Sequence, residues 1–123
     1  MALTKINSFT DLLVWKEGHE VVLEIYRLVQ KFPRSSYSLV DQMTRCAVSI
    51  TSNIAEGFSR QSKKEKVQFY HISKGSLTEF HNQLIICKDI SYITSEEFDN
   101  LESKIQKTGR LLTGLIRSAE SKS

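Results

Sequence analysis

The run Gln42-Met43-Thr44-Arg45-Cys46-Ala47-Val48-Ser49-Ile50-Thr51-Ser52-Asn53-Ile54-Ala55-Glu56-Gly57 decides the fold. Together with Leu39 before it and Phe58 after it, its apolar residues Met43, Ala47, Ile50 and Ile54 recur at steps of three and four, the period of an α-helix. The run is also rich in small side chains (Cys46, Ala47, Ser49, Ser52, Ala55 and Gly57), which let neighbouring backbones approach closely. Gln42, Arg45, Ser49, Asn53 and Glu56 make a polar row beside the apolar one. This combination predicts a helix packed on several sides, with the polar row hydrogen-bonded structurally or at an interface of an assembly.

Three further helices flank it. Thr10 is placed to cap a first helix over residues 11–31, with Asp11 favourable in its first turn. That helix carries two apolar stripes: Leu12, Trp15, His19, Val22, Tyr26 and Val29, and Val14, Gly18, Val21, Ile25, Leu28 and Phe32. Two stripes exceed what one bundle contact needs, so the helix either sits centrally or meets another subunit. Pro33 ends it, because the residue before a proline is pushed out of helical geometry. The second helix is expected over residues 39–58, terminated by Gly57.

Ser62-Lys63-Lys64-Glu65 reads as a capping box opening a third helix over residues 62–91. Its expected apolar row is Phe69, Ile72, Ser76, Phe80, Gln83, Cys87 and Ile90, with a close helix crossing at Gly75-Ser76. Thr94-Ser95-Glu96-Glu97 is a second capping box. It opens a fourth helix over residues 95–119 whose seam is Phe98, Leu101, Ile105, Thr108, Leu112, Leu115 and Ala119. Residues 120–123 are expected to fray.

The bulk numbers agree. The 123 residues fit one domain, and one Pro and five Gly leave little room for loops. Four amphipathic helices with short connections imply an all-α, antiparallel up-down-up-down bundle. The net charge of +3 permits nucleic-acid partners without demanding them. Cys46 and Cys87 lie in apolar patterns without a CxxC pair, so they read as buried hydrophobes in a reducing compartment. Residues 1–8 lack the apolar core of a signal peptide, and the longest apolar runs, Leu12 to Trp15 and Leu84 to Cys87, are four residues each. A cytoplasmic protein with no membrane partner is expected.

With the second helix placed, the chain resembles the bacterial four-helix-bundle family named after proteins encoded within 23S rRNA intervening sequences. Phe9 with Asp11-Leu12-Leu13-Val14-Trp15, Ile25-Tyr26-Arg27 and Phe32-Pro33 resemble the family's first helix. Gln42, Arg45, Ala47-Val48-Ser49-Ile50, Ser52-Asn53-Ile54-Ala55-Glu56-Gly57 and Arg60 resemble its most specific signature. Phe69, Gly75-Ser76 and Glu79 resemble its third-helix motif. Thr44 and Thr51 depart from it, standing where the family commonly has Arg and Pro. The family is similar in architecture to the retroelement accessory protein Avd, a homopentamer with a basic surface that partners a reverse transcriptase and nucleic acid. The resemblance therefore implies a ring-like homo-oligomer, a pentamer, makes nucleic-acid binding plausible, and supplies no catalytic activity.

Candidate sites follow. Arg60, Lys63, Lys64 and Lys66 cluster with one acid, Glu65. Beside a helix N-terminus they form either a phosphate-holding rim or a solvated turn. Tyr70 and His71 adjoin them as aromatics able to stack a base, whereas Phe69 fits the core row. Glu56 and Arg60, four apart, are expected to pair. An active-site reading of Arg45, Ser49, Asn53 and Glu56 fails on reach, since Arg45 and Glu56 lie about 16 Å apart along one helix. His19 reads as a satisfied interior or interface histidine. Glu17-Gly18-His19 and Glu79-Phe80-His81 lack the Glu-x-x-His spacing of a bundle metal site. No enzyme motif, cofactor or metal is expected. The expected function is a non-enzymatic oligomeric scaffold or adaptor that binds structured RNA or DNA through Arg60, Lys63, Lys64, Lys66 and Tyr70. The alternative is a protein-interaction module partnering a nucleic-acid enzyme, with no direct nucleic-acid contact.

Overall fold

A computed structural model describes residues 5–121 of the chain. It holds four long helices: α1 (Leu13–Leu28), α2 (Tyr37–Ser59), α3 (Lys63–Asp89) and α4 (Ser95–Ser121). Single 3-10 turns at Phe9–Asp11, Val29–Lys31 and Arg34–Ser36 join or precede them, and no strand occurs among the described residues. Consecutive helices pack side by side, and α4 returns to α1. The expected frayed end lies partly outside the described residues, at 122–123, while α4 itself stays helical through Ser121.

The register between helices is antiparallel. Ser73 Oγ donates to the Ile50 carbonyl at 2.7 Å, and Cys87 Sγ lies 3.3 Å from Met43 Sδ. Lys63 Nζ reaches the Glu120 carbonyl, and His81 meets Glu102. Lys107 pairs with Glu17 across α4 and α1. Val21, Ile25, Met43, Ile50, Ile54, Phe80, Leu84, Leu101 and Leu112 are fully buried between the four helices. Each such side chain contributes about 1.5–3 kcal/mol of apolar burial.

Three local expectations change. Thr10 does not cap α1, which begins after the extended residue Leu12 with no side-chain cap, and the capping belongs to the 3-10 turn Phe9–Asp11 before it. Ser8 Oγ accepts from the Thr10 backbone N–H, and the Asp11 carboxylate accepts from the backbone N–H groups of Asn7 and Ser8 at 2.9 and 3.0 Å. These two donors hold the Asp11 carboxyl below the ordinary carboxylate range. A Ser followed by an Asp three residues on satisfies orphan amides reciprocally, which Thr10 cannot do.

The core row of α3 is also rotated. Tyr70, Ser73, Leu77, Phe80, Leu84 and Cys87 are buried, while Ile72 and Ile90 are exposed and Phe69 is half-buried. A polar residue at an inward position, Ser73, disguises the true stripe, while Gln83 is buried as its place in the row predicts. Ser73 is accommodated because its hydroxyl has the Ile50 carbonyl as partner.

Finally, the glycines serve different purposes from those expected. At the α2–α3 crossing Ser76 Oγ meets Ser49 Oγ at 2.8 Å, but a Cβ on Gly75 would meet nothing within 4 Å. Gly57 does not end α2 through a left-handed turn, for no glycine has positive φ and the helix continues to Ser59. Its lack of a side chain instead admits Tyr70, whose Cε1 would lie 2.6 Å from a Cβ at that position.

Candidate nucleic-acid interface

Up-down-up-down order brings the start of α1, the end of α2, the start of α3 and the end of α4 to one end of the bundle. Ser62 caps α3 there, its Oγ accepting from the Glu65 backbone N–H at 3.1 Å. Lysines in the first turn of a helix face an unfavourable dipole. The neighbouring helices explain why they sit there. Lys66 Nζ donates to the Phe58 carbonyl at 2.8 Å and to Gly57 at 3.4 Å, both at the end of α2. Lys63 Nζ donates to the Glu120 carbonyl at 2.8 Å, at the end of α4. Each lysine thus neutralises the negative end of an antiparallel neighbour and satisfies carbonyls that lack an intrahelical partner.

Arg60 bonds Glu56 Oε2 at 2.9 Å, and its guanidinium lies 4.9 Å from the centre of the Phe69 ring. Of the four expected cations, Lys64 is exposed without a hydrogen bond or ion pair among the described residues. The structure brings the cluster together at one rim, with three of its members already engaged. An ammonium carries three donors, so Lys63 keeps capacity for a further acceptor.

The aromatic expectation is corrected. Tyr70 is 2% exposed, so its ring offers no open face to a base. Burial pushes its phenol pKa up. It lines an amphipathic cleft of about 650 Å³ with Leu12, Phe58, Lys63, Lys66 and Leu115. Phe69, read as core, is the half-buried ring beneath Arg60, while His71 is exposed.

The polar row of α2 divides along its length. Gln42 is exposed, and Arg45 pairs with Asp41 at 3.1 Å. Ser49 and Asn53 bond each other at 3.0 Å and reach α3 through Ser76. Glu56 serves Arg60. Cys46, beside this row, donates to the Ser76 carbonyl at 3.1 Å and contacts Glu79. Burial, with Glu79 adding to it, pushes its thiol pKa up to about 12. Burial alone pushes Cys87 up to about 11. Among the described residues, no group of three or more His, Cys, Asp and Glu could hold a metal ion. His19 stacks on Trp15 at 4.7 Å.

Two further surfaces stand out. The first is the outer face shared by α1 and α2. Leu23, Tyr26, Tyr37 and Val48 are exposed there, with Trp15 and Val22 half-buried beside them. The stripe of α1 that holds Trp15, Val22 and Tyr26 marks it in sequence as more than one bundle contact needs, and the spacing of Tyr37, Thr44, Val48 and Ala55 is a further signal on α2. The second surface is acidic, at the opposite end of the bundle, where Glu24, Glu96, Glu97 and Asp99 line a cleft.

These features define a four-helix-bundle protein whose ends differ in charge. The chain belongs to the family described as 23S rRNA-intervening sequence protein, whose profile matches residues 10–114. Among solved structures it is similar to a protein of unknown function from the S23 ribosomal protein family of Bacteroides thetaiotaomicron, with a TM-score of 0.79 and 22% identity. That match covers 85% of this chain and 98% of the other, and it shows a shared fold. No curated protein matches the chain. No helix among the described residues is long and apolar enough to cross a membrane.

Proposed function

We propose that this chain is a non-enzymatic scaffold that works by assembling with copies of itself into a ring-like homo-oligomer, a pentamer, inside the cytoplasm. The observation that carries the reading is the apolar band of Trp15, Val22, Tyr26, Tyr37 and Val48 on the α1–α2 face, partly or largely open to solvent in the single chain. Exposed apolar surface of this kind marks an interaction site. A second apolar row, Ile72, Ile86 and Ile90, lies exposed along α3. Two different patches on one chain suit a head-to-tail contact, which closes into a ring, better than a two-fold contact of one patch with itself.

Light scattering on the purified protein tests this. A mass several-fold above the 14.1 kDa chain is expected, falling to that of one chain in Val48→Glu. A wild-type protein that stays a single chain at micromolar concentration overturns self-assembly and leaves a different protein, such as a nucleic-acid enzyme, as the partner of the band.

A second reading rests on charge. The half of the α3–α4 pair nearest the basic rim, residues 62–78 and 106–121, holds seven Lys and Arg against two Glu. The rest of the chain holds ten Lys and Arg against twelve Asp and Glu. A segregated excess of this size favours a phosphate-bearing partner, structured RNA or DNA, at the rim of Arg60, Lys63, Lys64 and Lys66. Fluorescence anisotropy over a salt series tests it. A steep negative log–log slope is expected, and absence of binding at low salt removes the reading.

A further inference from the structure

We propose that the groove between α3 and α4, bounded by Lys74 and Arg110 and running past Arg117 to Lys63 and Lys64, is the track along which the sugar–phosphate backbone of a nucleic acid lies. The proposal rests on the nucleic-acid reading above and moves its principal contacts away from the rim.

The groove begins as a cleft of about 440 Å³. Lys74 on α3 and Arg110 on α4 line it from opposite sides, with the hydroxyl-bearing Thr78 and Thr113 beside them. No carboxylate lines it. Gly109 contributes no side chain to the floor, where Leu77 Cδ2 would lie 3.4 Å from a Cβ. At its far end His81 Nε2 meets Glu102 Oε2 at 2.8 Å, which keeps the nearest acid occupied.

Most rim cations are engaged, with Lys64 the exception among the described residues, whereas the groove cations are not. Arg27, Lys31, Arg45, Arg60 and Lys107 are held by carboxylates, and Lys88 lies over the Phe98 ring. Lys63 and Lys66 are drawn to helix carbonyls. Lys74, Arg110 and Arg117 are exposed and have no hydrogen bond or ion pair among the described residues. A cation already paired must break that contact before it can take a phosphate, whereas these three need not.

Their spacing favours a chain of phosphates over a single anion. Arg110 and Arg117 are seven residues apart, two turns on one helix face, or about 10 Å. Lys74 and Lys63 are eleven residues apart, three turns on one face of α3, or about 16 Å. The bond from Lys63 to the Glu120 carbonyl ties the two helices at the rim end, so the groove and the rim form one continuous surface. Lys and Arg spread along such a line neutralise successive phosphates without reading bases, and their ammonium and guanidinium groups, with the hydroxyls of Thr78 and Thr113, fit phosphate oxygens.

The test is fluorescence anisotropy of full-length protein with a labelled RNA hairpin and a labelled DNA duplex across a salt series. Four proteins are compared: wild type, Lys74→Gln/Arg110→Gln, Lys63→Gln/Lys64→Gln, and a control of equal charge change, Lys16→Gln/Arg34→Gln. All four substitute exposed side chains, and circular dichroism checks that each stays helical. The groove variant is expected to lose roughly two contacts' worth of salt slope, about 0.7–0.9 per phosphate, and at least tenfold in affinity at low salt. The control is expected to match wild type. If the rim variant loses binding while the groove variant retains wild-type slope and affinity, the groove is overturned and the rim reading stands. If the control loses as much as the groove variant, net charge alone is at work and the groove is overturned. If wild type binds neither probe, groove and rim fall together, and self-assembly is judged separately by light scattering. Loss confined to the RNA or the DNA arm supports the groove and names its ligand.

Discussion

Gly57 and Tyr70 are fitted to one another: a Cβ added to Gly57 would sit 2.6 Å from Tyr70 Cε1 and 2.8 Å from Cδ1. The phenol ring fills the space that a side chain on α2 would occupy. The flexible end of a long side chain could swing aside, but this ring is 2% exposed and the Phe69 Cβ closes the same space at 3.1 Å. Gly57→Ala is therefore expected to lower stability by about 1–3 kcal/mol through overpacking, despite alanine's better helix propensity. Gly75→Ala, inside α3 and facing open space, is expected to raise it by about 1 kcal/mol. Urea unfolding of the two variants tests both signs, and a stabilised Gly57→Ala would show that Tyr70 is not held by this contact.

The end of α3 offers a second substitution. Ser91 has φ of 65°, the left-handed region, and Tyr92 N–H reaches the Cys87 carbonyl while Ser91 N–H reaches that of Lys88. This is a Schellman closure with serine where glycine is usual. Ser91→Gly is expected to gain roughly 0.5–1 kcal/mol, because relief of the left-handed conformation outweighs the added freedom of the unfolded chain. Thermal melts read the change, and a fall in midpoint would contradict it.

Acid sensitivity follows from Glu97. Its carboxylate takes a hydrogen bond from Lys31 and one from the Thr94 backbone N–H, and these hold its pKa below the ordinary value. A depressed folded pKa gives stability that is present above the unfolded value, about 4.3, and lost as pH falls through the folded one. Stability is expected to drop below about pH 4, and Glu97→Gln is expected to flatten that part of the profile. A variant with an unchanged acid limb would place the titration elsewhere.

The two thiols supply a kinetic prediction. Cys46 and Cys87 are buried and have pKa values pushed up to about 12 and about 11. At pH 8 the nucleophilic thiolate is scarce at both positions. Neither should react with a thiol reagent in the native protein over the time in which both react in guanidinium. Rapid native labelling of Cys46 would show that the α2–α3 crossing opens.

Much of the fold was legible because most helices follow simple rules. The α4 seam Phe98, Leu101, Ile105, Thr108 and Leu112 is buried as its spacing predicts, and Thr94 with Glu97 forms the full capping box. The Glu56–Arg60 pair also forms. Reading failed on part of α3, where Tyr70 and Ser73 stand in the interior and Ile72 and Ile90 stand outside. A period search follows the isoleucines, so it placed Phe69 inward and Tyr70 outward. The rim lysines illustrate a different gap. Their residue types announced positive charge, but their engagement by the ends of α2 and α4 depends on how neighbouring helices pack, which residue spacing along one helix does not show. For the same reason Lys74 and Arg110, 36 positions apart, gave no local signal.

The unequal ends of the bundle have one more consequence. A molecule positive at one end and negative at the other is an electric dipole, and neighbours lying side by side favour opposite orientations. A closed ring of identical copies requires the same orientation for all, with every positive rim on one side. Salt screens that mutual repulsion within about 10 Å at 0.1 M. Assembly of the ring should therefore tighten as salt rises, while capture of a phosphate chain weakens. The two behaviours can be separated by ionic strength alone.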